Sequence, residues 1–470
     1  MIDDLRLITN NKLDPANKAI WGQFMTPSCI ADYMASLFDK TTDNIKLLDC
    51  GAGIGSLTIA ALKALETVEL VDLWEIDPIM QAQLKQNLTH LALDYSIHSQ
   101  DFISEAVTNI CLGKGQRYTH AILNPPYRKI NNNSEHRKLL RKAGIETVNL
   151  YSAFLALTIK LMAQGGQIIA IIPRSFCNGA YYKAFRALLL KNCAIEHINV
   201  FKSRNKAFQD DAVLQENIIL KLVKHKPQGL VSISQSDDPT FQTYESKTVP
   251  FTAVVKANDP ECFIHIPITA STDNHKLFAV PLSELGLNVS TGPVVDFRLK
   301  EFLEHEPTAH TVPLIYPHHF VNGQFHYPKT HKKPNAIQVV PASQKWLMPN
   351  DGFYVIVKRF SSKEERQRVV AYIVNPDEIA KAWIGFENHW NVFHVNKHGF
   401  DKTMAMGLAC FLNSSLLDNH FRVFSGHTQV NATDLKNLRY PTLQTLLVLG
   451  QAYQTTMTQA QIDQLLGAVA

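Results

Sequence analysis

Along the first 225 residues, apolar positions follow two alternating rhythms. Short, nearly continuous apolar runs at Lys46–Cys50, Leu70–Ile76, Tyr95–Asp101, His120–Leu123 and Gln167–Pro173 predict strands buried on both faces. Between them, apolar residues recur at helical spacing over Ser56–Leu65, Pro78–Leu91, Asn149–Ala163 and Tyr181–Cys193, which predicts amphipathic helices. Strand and helix in strict succession predict a parallel sheet with right-handed crossovers. Two more strands, Ala194–Phe201 and Leu214–Lys224, follow one another without a helix between, so they are expected to pair antiparallel at one edge.

The rhythm breaks near Lys224. Residues 226–250 are rich in Pro, Gly, Ser, Asp and Thr and read as a linker or long connection. Residues 251–470 mix strands and helices without regular alternation, with turn signals at Asn288–Pro293, Pro328–Pro334 and Pro349–Gly352. That organisation predicts an α/β domain over 1–225 and an α+β domain over 251–470. A closing helical segment, Thr442–Val469, is expected to pack back on the body.

Composition narrows the picture further. The chain of 470 residues is 46% apolar, enough for substantial cores, and holds no apolar run long enough to span a bilayer. The first residues carry acids and no apolar signal core, so no secretory signal and a cytoplasmic location are expected. Seven cysteines lie scattered without a CxxC or CxxH pair, which favours reduced thiols over disulfides or zinc, and no metal site is expected. Net charge is only +4, so any surface for a polyanion must be local.

Candidate chemistry gathers at the ends of the first four strands. LLDCGAGIGSL has a strand carrying Asp49, then Gly51, Gly53 and Gly55, then a helix; glycines there let the backbone approach a ligand closely. The GxGxG spacing departs from the GxGxxG dinucleotide pattern, which argues against NAD. Glu75, at the end of the next strand, can accept hydrogen bonds from ribose hydroxyls, and Ile76 offers an apolar face to a purine. The third strand ends in Asp101–Phe102, an acid and an aromatic suited to an adenine edge and face, whereas Asp77 before Pro78 reads as a helix cap. Together these favour an adenosine-type cofactor.

The fourth strand ends in Asn124–Pro125–Pro126–Tyr127. An aromatic amine is a poor nucleophile because its lone pair is delocalised into the ring. Two acceptors on its hydrogens localise that pair, and the Asn124 side-chain oxygen and the Pro125 carbonyl can be those two. Residues before proline are confined to extended backbone, which holds both oxygens in a fixed arrangement. Tyr127 can offer a flat face to a base, a contact worth roughly 1–3 kcal/mol in single-strand binders.

With these motifs the chain resembles the amino-methyltransferases of restriction–modification systems, specifically the gamma class of DNA adenine-N6 methyltransferases. GQFMTP is similar to that family's cofactor-covering FxTP element, which implicates Phe24, Thr26 and Pro27. DCGAGIG matches its glycine turn, WEID its ribose and adenine contacts, DF its adenine edge, and NPPY its catalytic tetrad without substitution. The resemblance implies a Rossmann-like domain with a seven-stranded, mostly parallel sheet, followed by a target-recognition domain. It further implies S-adenosylmethionine as cofactor, double-stranded DNA as substrate with the target base flipped out, and a separate cognate restriction endonuclease as partner. It also nominates Phe208, in KAFQDDAV, as an aromatic packing on the extruded base.

For phosphate contact, the run after the tetrad supplies Arg128, Lys129, Arg137, Lys138, Arg141 and Lys142 beside the expected pocket. Lys329, His331, Lys332 and Lys333 form a second basic cluster in the expected recognition domain. The alternative substrates for an NPPY loop are a protein glutamine or an RNA amino group. Cytosine C5 chemistry is disfavoured, because it needs a thiolate in a Pro-Cys context and Cys29 lies instead in the cofactor-covering element. A nuclease-like trace, Asp237 and Asp238 with Glu245 and Lys247, falls in the expected linker, and no cleavage by the chain alone is expected.

Overall fold

The structure is a computed structural model that describes residues 2–13, 25–40, 44–89, 91, 93–114, 117–201, 216–236, 240–241, 244–257, 259–267, 275–361, 365–425 and 429–470. The chain divides into two compact units, Met1–Thr269 and Ala270–Ala470.

In the first unit the described strands are β1 (Ile45–Cys50), β2 (Val68–Trp74), β3 (Tyr95–His98), β4 (Tyr118–Leu123), β5 (Met162–Pro173), β6 (Cys193–Phe201), β7 (Asn217–Lys224), β8 (Leu230–Ser236) and β9 (Tyr244–Pro250). They form one sheet in the order β3-β2-β1-β4-β5-β7-β6-β8-β9. The first five are parallel, β7 runs antiparallel between β5 and β6, β8 lies parallel to β6, and β9 closes antiparallel on β8. This is the Rossmann-like, mostly parallel arrangement expected, enlarged from seven strands to nine. Alternate residues of β5 serve opposite cores. Ile168, Ala170 and Ile172 join one face with the helices Phe102–Cys111, Leu150–Leu161 and Lys183–Asn192. Ile169 and Ile171 join the other with Ser28–Ser36, Ser56–Ala64 and Pro78–Leu88. Burying each such side chain contributes roughly 1.5–3 kcal/mol, so a sheet covered on both sides is the stable outcome.

Three expectations are corrected. The stretch 226–250 is not a linker, because β8 and β9 lie within it, and the β6–β7 pair is therefore internal to the sheet. In β8, Val231 and Ile233 are buried on the period of two that a strand requires. Its Ser234 is satisfied across the sheet: Oγ donates to Asn199 Oδ1 (2.7 Å) and lies 3.0 Å from His197 Nε2. The first unit also runs past residue 250. Ile264 donates its amide to the Cys177 carbonyl (2.9 Å), and the buried Arg186 guanidinium holds the Glu261 carbonyl at 2.7 and 2.9 Å.

The second unit is α+β. An antiparallel sheet has the order Asn288–Thr291, Trp390–His394, Tyr354–Lys358, Ala371–Val374, and a mixed five-stranded sheet includes Thr311–Ile315 and Trp383–Phe386. The closing segment is two helices, Leu443–Ala452 and Gln459–Val469. The first lies so close to the helix Lys402–Leu412 that a Cβ on Gly407 would stand 1.8 Å from the Leu446 carbonyl oxygen. Among the described residues no helix is long and apolar enough to cross a membrane.

Candidate active site

Because β3, β2, β1 and β4 are adjacent and parallel, the residues that follow them converge at one end of the sheet. There they line a cavity of about 240 Å³ whose walls include Thr26, Gly51, Gly53, Glu75, Ile76, Asp101, Phe102, Asn124 and Pro126. The strand ends singled out in the sequence thus meet at one place.

The glycine turn after β1 is held open by backbone geometry. Gly53 adopts φ +57°, and its amide donates to Glu75 Oε2 at 2.8 Å. Gly55, at φ +88°, starts the helix Ser56–Ala64, and a Cβ there would meet Leu84 Cδ1 at 2.7 Å. Glu75 Oε1 accepts the Asp77 amide, also at 2.8 Å, so two backbone donors fix the carboxylate plane. Each oxygen keeps acceptor capacity for a further donor. Burial pushes the Glu75 carboxyl up to about 7. Asp77 is the helix cap expected, accepting from the Ile79 and Met80 amides at 2.9 and 3.1 Å.

Asp49 lies beneath the turn and is fully buried, outside the cavity wall. Its Oδ2 accepts from the Thr58 hydroxyl at 2.6 Å, while Oδ1 has no hydrogen-bond partner. Burial, with the Glu75 charge adding to it against the Thr58 hydrogen bond, pushes its carboxyl up to about 7. Its place supports the turn, and direct ligand contact by Asp49 is not what the geometry offers.

At the β3 end, Phe102 is buried against Trp74 and Phe154, with ring centroids 5.4 and 5.0 Å away, while Ile76 is 40% exposed. Asp101 caps the helix Phe102–Cys111 through the Ser104 amide (2.8 Å) and pairs with His136 Nε2 (3.2 Å). Burial acts to raise the Asp101 carboxyl, but the His136 and Ser104 hydrogen bonds outweigh it and hold it below its usual range. His136 also lines the cavity, and its pairing with Asp101 holds its imidazolium above the ordinary histidine range. Sequence reasoning missed it, since a histidine amid lysines and arginines carries no signal of its own.

At the β4 end, the Asn124 side chain is held by both of its polar atoms. Nδ2 donates to Thr26 Oγ1 at 3.0 Å, and Oδ1 accepts from the Tyr127 hydroxyl at 2.8 Å. The same hydroxyl lies 3.2 Å from the Ile171 carbonyl. Tyr127 is only 9% exposed and packs edge-on against Tyr151, which corrects the expectation that its ring faces the cavity. Pro125 is buried and Pro126 lines the wall. Pro27 precedes the helix Ser28–Ser36 and lies off the wall. Phe24, Phe208, Asp237 and Asp238 lie outside the described residues.

The basic run divides in two. Arg128 and Lys129 are exposed and line the cavity. On the helix Glu135–Lys142, Arg137 is buried and paired with Glu146, which removes it from the surface cations. Lys138 pairs with Glu135 (3.4 Å) and Arg141 with Glu146 (3.1 Å), while Lys142 is exposed in the last turn.

Comparison with known proteins decides the family. Residues 56–208 match the model of the Eco57I restriction-modification methylase. Over 96% of its length the chain is 51% identical to the Type II methyltransferase M.BsuBI of Bacillus subtilis, spanning 93% of that protein. This chain is a Type II DNA methyltransferase of a restriction–modification system. It is also 41% identical to the Type II methyltransferase M.PstI of Providencia stuartii, over 99% of this chain and 96% of that one. Among solved structures, a nuclease-deletion mutant of the Type ISP restriction-modification enzyme LlaGI in complex with a DNA substrate mimic superposes with a TM-score of 0.52. It is 10% identical, covering 92% of this chain and 54% of that one, a likeness of fold.

Proposed function

We propose that this methyltransferase transfers a methyl group from S-adenosylmethionine to the N6 amino group of an adenine turned out of duplex DNA. The observation that carries the reading is the Asn124 amide, fixed from both sides at the edge of a cavity that begins at the glycine turn. The residues present fit the cofactor. Glycines leave the turn open, Glu75 presents a buried and oriented carboxylate for ribose hydroxyls, and Ile76 with Phe102 offers apolar surface to the adenine ring. Asp101 and His136, on the same cavity wall, would hold that ring's edge. When bound, the cofactor supplies a methyl carbon on a sulfonium, an electrophile that carries its own leaving group.

The chain's part is then orientation. Asn124 Oδ1 accepts from the Tyr127 hydroxyl, which fixes its direction, and it is the acceptor we assign to one amine hydrogen. The Pro125 carbonyl takes the second hydrogen, and the amine lone pair is localised towards the methyl carbon. Such preorganised acceptors need no reorganisation as charge develops. Phe208 is our candidate for an aromatic against the extruded base. Arg128 and Lys129 serve backbone phosphates, with Lys138, Arg141 and Lys142 contributing where their carboxylate partners yield. The second unit is the target-recognition domain, and a separate endonuclease is the cognate partner.

The test is to methylate duplex DNA with labelled cofactor, digest it to nucleosides and identify the product. N6-methyladenine is expected; N4-methylcytosine, or label in protein or RNA alone, would overturn the assignment.

A further inference from the structure

The second unit holds a polar constellation that the catalytic geometry does not use. Glu387, just after the strand Trp383–Phe386, has a fully buried carboxylate. Both of its oxygens serve His389: Oε2 accepts the His389 amide at 2.9 Å, and Oε1 lies 2.6 Å from the ring Nδ1. The His389 side chain is itself 42% exposed. Withdrawing a carboxylate from water is costly, and the Glu387 carboxyl is raised by that burial against the opposing His389 contacts. A surface histidine needs no such partner merely to be folded. What the carboxylate achieves is to fix the ring plane and commit Nδ1, so that Nε2 is the nitrogen left to present.

Around that ring lie an aromatic side chain, an arginine and the carboxylate of Asp296, whose charge acts on His389. Lys358 pairs in register with Trp390, so Arg359 and Phe360 emerge at the same sheet end as His389. The Phe360 ring, 40% exposed, lies 4.9 Å from the His389 ring. Arg359 holds the Asn388 carbonyl through Nη1 at 3.2 Å, and its buried Nε has no hydrogen-bond partner. Lys333 is anchored by Asp296, beside the exposed Phe297. Phosphates are satisfied by mobile lysines, without directional fixing. A base edge is different, because it is read only by a donor or acceptor held at a set angle.

We propose that this sheet end reads bases of the target duplex, with His389 Nε2 as the group directed at a base edge and Glu387 as the residue that positions it. The assignment rests on the chain acting on duplex DNA. Arg359 and Phe360 frame the contact.

The experiment uses the full chain. Genomic DNA methylated by the wild type is sequenced for modified bases, which gives the target site. Duplexes carrying that site, and duplexes with single-base changes in it, are then titrated against wild type, His389→Ala and Phe360→Ala. For His389→Ala, affinity for the intact site should fall about tenfold or more, and that for one altered duplex should hardly change, so that discrimination at one position collapses. Phe360→Ala should lose affinity at the same position by a smaller factor. Equal loss on every duplex would mark a phosphate contact and overturn the proposal, as would no loss. An unaltered circular-dichroism spectrum and unfolding transition for each variant certify the fold. If the wild type labels no DNA, the broader functional reading falls and this one with it; a wild type that labels a defined site and an unchanged His389→Ala sink this proposal alone.

Discussion

The Tyr127 hydroxyl donates to the Asn124 side-chain oxygen at 2.8 Å, across a single turn of the rigid Asn-Pro-Pro-Tyr corner. This ties the fourth residue of the motif to the first through its hydroxyl, with the ring in the core. Tyr127→Phe separates the two roles a tyrosine can have here, since it keeps the ring and deletes the donor. Loss of one hydrogen bond of about 1 kcal/mol predicts a methyl-transfer rate lowered about fivefold. Single-turnover methylation with saturating cofactor reads this directly. A full rate would show that Asn124 does not depend on the hydroxyl.

Asn124→Ala removes the acceptor itself. The rate should fall on the order of a hundredfold or more, as for other oriented polar groups that act on developing charge. Cofactor affinity should survive, because Asn124 touches Thr26 and Tyr127 while the Glu75 carboxylate is held separately, by the Gly53 and Asp77 amides. A variant that methylates at the wild-type rate would remove Asn124 from the mechanism. Calorimetric titration with a cofactor analogue checks the second half of the expectation.

Much of this site was legible in the sequence because parallel strands send consecutive strand ends to one edge. Once the strands around Asp49, Glu75, Asp101 and Asn124 are recognised, topology brings their ends together. What the sequence could not convey is side-chain direction. Asp49 and Tyr127 stand in the right motifs yet turn into the core, one to Thr58 and the other to Ile171. Composition also misled at 226–250, where Ser232, Ser234 and Ser236 suggest a loop although the residues between them keep a strand's period. His136 became visible only when its helix set it beside Asp101.

Glu75 and Asp49 give a pH dependence of definite sign. Both carboxyls are pushed up to about 7 from ordinary values of 4.5 and 3.8, so each keeps its proton in the folded chain where the unfolded chain has lost it. The stability that these two groups contribute is therefore greatest at the acid end of that window and declines as pH rises to about 7, while buried histidines such as His120 and His197, lowered to about 4, act in the opposite sense. The unfolding temperature of wild type relative to Glu75→Gln should therefore fall as pH rises from 5 to 8, and the substitution also relieves the charge acting on Asp49. Cofactor affinity should run the opposite way, rising through about pH 7 as Glu75 ionises and becomes the stronger acceptor for ribose hydroxyls. In Glu75→Gln that affinity should be weaker and less dependent on pH. An unchanged dissociation constant would remove Glu75 from ribose binding.

Arg128 and Arg137 belong to one basic run but predict opposite phenotypes. Arg128, with Lys129, is exposed on the cavity wall, whereas the Arg137 side chain is 7% exposed and turned to Glu146. Each phosphate contact contributes about 0.9 to the slope of log affinity against log salt. Arg128→Ala with Lys129→Ala should therefore weaken binding on every duplex and flatten that slope by about twice this amount. Arg137→Ala should leave the slope alone and lower the unfolding temperature, because it strips a buried cation from the helix that carries His136. Salt titrations of the two variants side by side decide it. If Arg137→Ala flattened the slope as much as the double variant, the guanidinium would have to leave Glu146 for DNA, and its burial would be a feature of the unbound chain only.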